Sequence, residues 1–286
     1  MAGNLLVTGG TGTVGSLLVN YLEQSGNDFR VLVRDAQKGQ ALADRGIKTI
    51  PGDFADTASL DRAMEGVHRA FLLTPPHPEM VVWQTNAILA ARRTGVKHVV
   101  KLSITPFDPD ASINLVKWHS ATEVLLRESG VAYTIIRPHS FMQNWIASAG
   151  MIKGGTFYGS MGDMPVPFVD ARDVAEVAYR AMTGGGHKGK IYRVTGPQAI
   201  SQRQVAEAFG KALNRSINYV NIPHEAALQG MLGAGLPEWL ARDLDALQRQ
   251  WADGIDVDVS TDSQMILRRP GKTVEDFTVD YVDRFE

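Results

Sequence analysis

The chain has 286 residues, about twice a common domain length, which allows one large domain or two intimate ones. Apolar residues make up 44% and charged residues 21%, ordinary globular usage with enough material for a sizeable core. A formal net charge of −2 gives no electrostatic case for nucleic acid or an anionic membrane, and the lack of cysteine excludes disulfides, thiolate metal sites and a cysteine nucleophile.

No basic segment and apolar stretch precede the strand-like run Leu5-Leu6-Val7, which predicts no signal peptide and a cytoplasmic location. No apolar run is long enough to span a bilayer. Strands are predicted at Asn4–Val7, Phe29–Val33, Lys48–Ile50, Arg69–Leu73, His98–Leu102 and Ala132–Ile136. Helical patterns lie between them, at Thr13–Gln24, Gln37–Asp44, Ala58–Met64, Glu79–Arg93 and Ile113–Glu128. Continuous apolar strands separated by helices predict a parallel sheet covered on both faces and wound by right-handed crossovers.

After Arg137 the pattern changes. Met142–Met164, rich in Gly, Met and aromatics, reads as loops with short elements. Val166–Val169 reads as a strand, Asp170 as a cap, Ala171–Met182 as a helix and Lys190–Val194 as the last clear strand. Helices near Gln202–Leu213, His224–Leu232 and Glu238–Trp251 follow, then a polar stretch and a short final helix. The expected fold class is α/β, a Rossmann-type doubly wound parallel sheet with a small C-terminal α/β substrate lobe. The dinucleotide-binding domain is expected over 1–150, with 166–196 returning to it, and the smaller lobe over 197–286 with 151–165.

Thr8-Gly9-Gly10-Thr11-Gly12-Thr13-Val14-Gly15 follows the first strand and opens the first helix. It satisfies Gly-x-Gly-x-x-Gly and Gly-x-x-Gly-x-x-Gly together. Dinucleotide binding needs glycine there for a tight turn, for backbone approach to a pyrophosphate and for close helix packing. The free N–H groups and helix dipole then favour the anion. The second strand ends at Arg34, where an acid would read a ribose hydroxyl and an arginine instead suits a 2′-phosphate. Lys38, one helical turn on, is placed to help, and the adjacent Asp35 counts against it. NADP(H) is therefore favoured, with NAD(H) the alternative. Gly184 to Lys190 resembles half a phosphate-binding loop, but Ile191 replaces the required Ser/Thr and a strand follows, so it is rejected as a nucleotide site.

These features occur in order with Gly52-Asp53, Thr94 to Val100, His119-Ser120-Ala121-Thr122-Glu123 and Tyr133 to Pro138. Together they resemble the NmrA-like family of atypical short-chain dehydrogenase/reductases, and the resemblance covers nearly the whole chain. Within that family the resemblance is to quinone and triphenylmethane dye reductases. The resemblance implies that Gly9, Gly10, Thr11, Gly12, Thr13 and Val14 hold the pyrophosphate, and that Arg34 holds the ribose phosphate. It implies that Asp53 and Phe54 sit against adenine, and that Leu73, Thr74 and Pro75 line the nicotinamide ribose. Pro138, His139, Ser140 and Phe141 would flank the nicotinamide.

The wider superfamily uses Ser, Tyr and Lys, with Tyr-x-x-x-Lys on a helix. None of the seven tyrosines here has lysine four residues later. Aligning on Glu123 puts Leu115 in the tyrosine slot and His119 in the lysine slot, while Ser103 keeps the serine slot. His119 and His139 are the proton-donor candidates. His119 and Glu123 also form an i, i+4 pair, which can be simple helix stabilisation. No ligand cluster points to a metal.

Hydride transfer to an electron-poor conjugated acceptor needs little protein acid, so a quinone or dye cation fits the missing pair. Such a substrate wants an apolar, aromatic pocket. Pro76, Phe141, Met142, Trp145, Phe157, Tyr158, Met161 and Met164 are candidates for one wall, and Met231, Leu232 and Trp239 for the other. The bland reading is that they are core of the smaller lobe. The sequence predicts an NAD(P)H-dependent reductase of a small planar aromatic, monomeric or homodimeric. The alternatives are a non-catalytic NAD(P) redox sensor and an aromatic polyketide tailoring enzyme with a monooxygenase-like step.

Overall fold

Leu5, Leu6 and Val7 are fully buried, which places β1 (Leu5–Val7) inside a sheet. In the computed structural model, which describes residues 4–286, β1 lies between β2 (Phe29–Val33) and β4 (Arg69–Leu72), parallel to both. The sheet has seven strands. With β3 (Lys48–Pro51), β5 (His98–Leu102), β6 (Tyr133–Pro138) and β8 (Lys190–Val194), the order is β3-β2-β1-β4-β5-β6-β8. The pairings from β3 to β6 are all parallel. The order reverses between β1 and β4, and in open α/β sheets ligands bind beyond the strand ends at such a switch point.

Alternate strand residues face opposite helical layers. Leu6, Leu32, Leu72, Val99 and Ile135 join one apolar cluster with α3 (Thr57–Met64), α4 (Met80–Arg93) and α5 (Asn114–Glu128). Elsewhere α1 (Thr13–Gln24) packs on α7 (Ala171–Thr183), with Tyr21 and Tyr179 stacked at 5.8 Å. The Gly184–Lys190 run is the turn from α7 into β8. Its first carbonyl accepts a 2.5 Å bond from Arg69, which also reaches the Ala181 carbonyl. The run therefore serves as a helix end.

The chain divides into two compact units. The first holds residues 1–111, 116–138 and 171–193. The second holds 112–115, 139–170 and 194–286. In the second unit β7 (Thr156–Gly159) pairs in parallel with β9 (Asn218–Asn221), and neither strand was expected from the sequence. Both are four residues long and carry asparagine or glycine, too little apolar alternation to read. Val166–Val169 is not a strand. It makes only isolated bridges, Val166 with Ile200 and Val169 with Phe141, because its fully buried apolar side chains pack without a continuous ladder. The tail ends in two short helices, Asp262–Leu267 and Val274–Asp280, the second closed by a capping box of Thr273 and Asp276.

Candidate active site

The end of β1 is tied to the end of β4 by one buried hydroxyl. Thr8 Oγ1 accepts from the Leu73 N–H at 2.8 Å and lies 2.9 Å from the Leu73 carbonyl. The chain then turns at Gly9, whose φ of +65° favours glycine, and the Gly12 N–H closes the turn on the Gly9 carbonyl at 3.0 Å. Helix α1 begins at once. A Cβ on Gly15 would lie 2.0 Å from the Gly9 carbonyl oxygen, so only glycine lets helix and loop approach this closely. No side chain caps α1 and no acid occupies its first turn, while Thr11, Gly12 and Thr13 are exposed. The first-turn N–H groups of a helix have no intrahelical acceptor. An uncapped helix start behind an exposed glycine turn fits a pyrophosphate.

Arg34 stands exposed after β2. Its acidic neighbour is occupied: the Asp35 carboxylate caps α2 (Ala36–Ala43), accepting from the Gln37 N–H at 2.8 Å. Lys38 is exposed one turn into α2. Two cations with the nearest acid turned to a helix cap suit a 2′-phosphate better than a ribose hydroxyl. Replacing Arg34 with Ala should raise the Kd for NADPH about 10- to 100-fold, the value of one or two charge-assisted bonds, and leave NADH binding almost unchanged. Parallel titrations with the two cofactors check this.

Asp53 and Phe54 follow β3. The Asp53 carboxylate accepts from the Ala55 N–H at 2.8 Å, and the Phe54 carbonyl accepts from Asn86 of α4 at 2.9 Å. The Phe54 ring stacks at 6.5 Å on Trp83, which stacks at 4.2 Å on His77, giving an aromatic surface beside this strand end. Leu73 is half-buried, and Pro75 and Pro76 are exposed. The Thr74 side chain is enclosed, with its hydroxyl accepting from Gln84 at 2.8 Å, so the backbone is what this residue offers at the strand end.

Ser103 and His119 are brought together, through a residue that sequence reasoning missed. Lys101 is the fourth of the five residues of β5 and is completely buried. Its ammonium donates to His119 Nδ1 at 3.1 Å and to Ser103 Oγ at 3.2 Å. Ser103 in turn donates to Glu123 at 2.5 Å. Glu123 also takes a forked ion pair from Arg137 of β6, whose Nε lies 3.0 and 3.1 Å from the two oxygens, and the guanidinium covers the Phe107 ring at 4.4 Å. Burial pushes the Lys101 ammonium down to about 7, against the opposing pull of Glu123. Burial, then the Lys101 charge, hold His119 well below the usual imidazole range. His119 is therefore neutral near pH 7. Because Nδ1 accepts from Lys101, its ring proton is on Nε2.

His139 lies in the second unit, buried, with Nδ1 accepting from the Ser140 N–H at 2.8 Å and its ring 4.8 Å from Trp251. The aromatic candidates divide. Trp145 packs edge-on against Phe168, Phe209 and Phe277, and Phe157 packs against Phe209 and Tyr219. With Met142 and Met161 they are nearly inaccessible core of this unit. Phe141, Met164, Met231, Leu232 and Trp239 keep partial exposure, and Tyr158 is exposed. Among the described residues, no group of three His, Asp or Glu is placed to hold a metal ion, and no helix is long and apolar enough to cross a membrane.

A sheet of this order with an open glycine turn at its switch point defines a nicotinamide-dinucleotide-binding α/β protein. The chain belongs to the NmrA-like family, whose model matches residues 1–277. It is 38% identical over 274 residues to an NAD(P)H azoreductase of Xenophilus azovorans, covering 96% of each chain. Among solved structures it resembles the NADPH complex of an Escherichia coli NADPH-dependent quinone oxidoreductase, with a TM-score of 0.87, 28% identity and coverage of 97% and 99% of the two chains. It also resembles the NADP(H) complex of a Citrobacter triphenylmethane reductase, with a TM-score of 0.85, 25% identity and the same coverage.

Proposed function

We propose that this protein is an NAD(P)H-dependent oxidoreductase that transfers hydride to a planar aromatic or otherwise conjugated acceptor, such as an azo compound, a quinone or a triarylmethane dye. It takes NADP(H) in preference to NAD(H). The observation that carries the reading is the uncapped start of α1 behind the Gly9–Gly12 turn, with exposed Arg34 beside an aspartate already committed to a helix cap. Relatives named for azo compounds and quinones, and a solved neighbour named for triphenylmethane reduction, support the acceptor class.

When bound, the reduced nicotinamide supplies the hydride. The chain's own residues do the rest. Gly9 to Val14 would present backbone donors to the pyrophosphate, and Arg34 and Lys38 would hold the ribose phosphate. Thr8 fixes the segment after β4, which would line the nicotinamide end. Within the second unit, the part-exposed apolar side chains Phe141, Met231 and Trp239 suit an acceptor of little polarity. The purified protein should oxidise NADPH steadily when given azo dyes, quinones and triarylmethane dyes in turn. Tight NADPH binding without turnover on any of them would sink the reading.

A further inference from the structure

Lysine inside a strand whose five residues are all buried needs a reason. Lys101 has no ion-pair role to explain it. Glu123 is taken by Arg137 and Ser103, and the contacts left to the ammonium are His119, Ser103 and the Leu102 carbonyl. The charged and titratable groups facing it are His119 and Glu123 on α5 and Arg137 on β6. One partner, His119, is only partly buried, so a single imidazole stands between the enclosed ammonium and the nearest exposed surface.

We propose that Lys101 and His119 form a proton relay that protonates the reduced acceptor, with Lys101 the enclosed donor and His119 the residue that delivers. The relay rests on the reductase reading above. Hydride addition to an azo bond forms one N–H bond and leaves the other nitrogen anionic, its two electrons coming from the dinucleotide, which is oxidised. As the second N–H forms, the His119 Nε2–H bond breaks. Nδ1 takes a proton from Lys101 Nζ, which becomes neutral. The relay resets when Nδ1 returns that proton to Nζ and Nε2 takes one from water. The Lys101 ammonium, lowered to about 7 by burial, is acidic enough to give a proton near neutrality. Lys101 is thus a positioning and proton-supplying residue that acts through His119.

Two acceptors separate this role from a structural one. An azo dye needs a proton after the hydride, whereas a triarylmethane cation needs only the hydride. In the wild-type protein the azo-to-triarylmethane ratio of kcat should fall as pH rises through about 7, the range in which Lys101 loses its proton. Lys101→Met should lower that ratio about 100-fold and flatten its pH dependence, in line with general-acid contributions. His119→Asn should do the same with Lys101 intact, and the wild-type pH profile needs no variant at all. A ratio that is flat with pH in the wild-type protein, or that both variants leave unchanged, overturns the relay while the reductase reading stands. Failure of the wild-type protein to turn over either dye overturns the relay, and the reductase reading falls with it only when quinones fail too.

Discussion

Replacing Gly15 with alanine should cost the protein its cofactor and part of its stability together. The added Cβ would meet the Gly9 carbonyl oxygen at 2.0 Å, the Gly9 carbonyl carbon at 2.7 Å and Gly10 Cα at 3.0 Å. All three are backbone, so no rotamer relieves the clash and the loop must lift from the helix. Overpacking of this kind costs about 1–3 kcal/mol. The displaced turn no longer presents its N–H groups together, and NADPH affinity should fall on the order of 100-fold, equivalent to about 3 kcal/mol. Gly12→Ala separates the two effects. Its Cβ meets only the Gly9 carbonyl, at 3.4 Å, and Gly12 has an ordinary φ of −88°. That variant should keep its Tm and lose affinity, because the methyl stands where a phosphate approaches the backbone. Thermal melts and NADPH titrations on the two proteins check both halves. Equal Tm losses would show that the loop geometry is not the cause.

Glu123→Gln should be among the most destabilising single changes in the first unit. Glu123 is 1% exposed and accepts from Ser103 and from Arg137, whose side chain is 18% exposed. Removing one partner of a buried pair leaves the other charge uncompensated, at about 3–5 kcal/mol. Here Arg137 loses its carboxylate partner, and Lys101 loses the negative charge that helps it keep its proton. For a chain of this size the Tm should drop by about 10 °C. The comparable surface change, Glu238→Gln, breaks an exposed i, i+4 pair with Arg242 and should cost about 0.5 kcal/mol or less. A Glu123→Gln melt within about 2 °C of wild type would contradict the network.

Much of the first unit was legible because its signals are local. Alternation of buried strands with helices gives the sheet, and the glycine spacing between β1 and α1 is specific to one geometry. Arg34 could be read for the same reason, since strand ends place it. The second unit was harder. β7 and β9 are four residues long with little apolar alternation, and they pair across about sixty intervening positions. No local pattern records such a contact. Val166–Val169 has the composition of a strand and the burial of one, but its neighbours supply single bridges in place of a ladder. Trp145 and Phe157 were legible as aromatic and apolar, while their placement in a packed core depends on Phe209 and Phe277, far along the chain.

Lys101 is the instructive omission. His119 stood out by alignment with the absent Tyr-x-x-x-Lys, and Ser103 by its slot after β5. The lysine between them passed as one charge in a strand. Yet His98-Val99-Val100-Lys101-Leu102 reads as a continuous apolar run for a strand covered on both faces, and a lysine inside such a run is the anomaly to follow. What the sequence does not contain is the distance. Only the parallel pairing of β5 with β6, and α5 beside them, brings Lys101, Ser103, His119, Glu123 and Arg137 within bonding reach.

A reductase of the proposed kind holds a reduced nicotinamide dinucleotide and passes its hydride to a conjugated acceptor. The most direct test is isotopic. A triarylmethane dye is reduced by the protein with NADPH carrying deuterium at the transferable position of the nicotinamide ring, and the colourless product is weighed by mass spectrometry. Hydride transfer predicts a single deuterium fixed at the central carbon, in a bond that does not exchange with water. Product without deuterium, when both ring faces have been labelled in turn, would rule out direct hydride transfer.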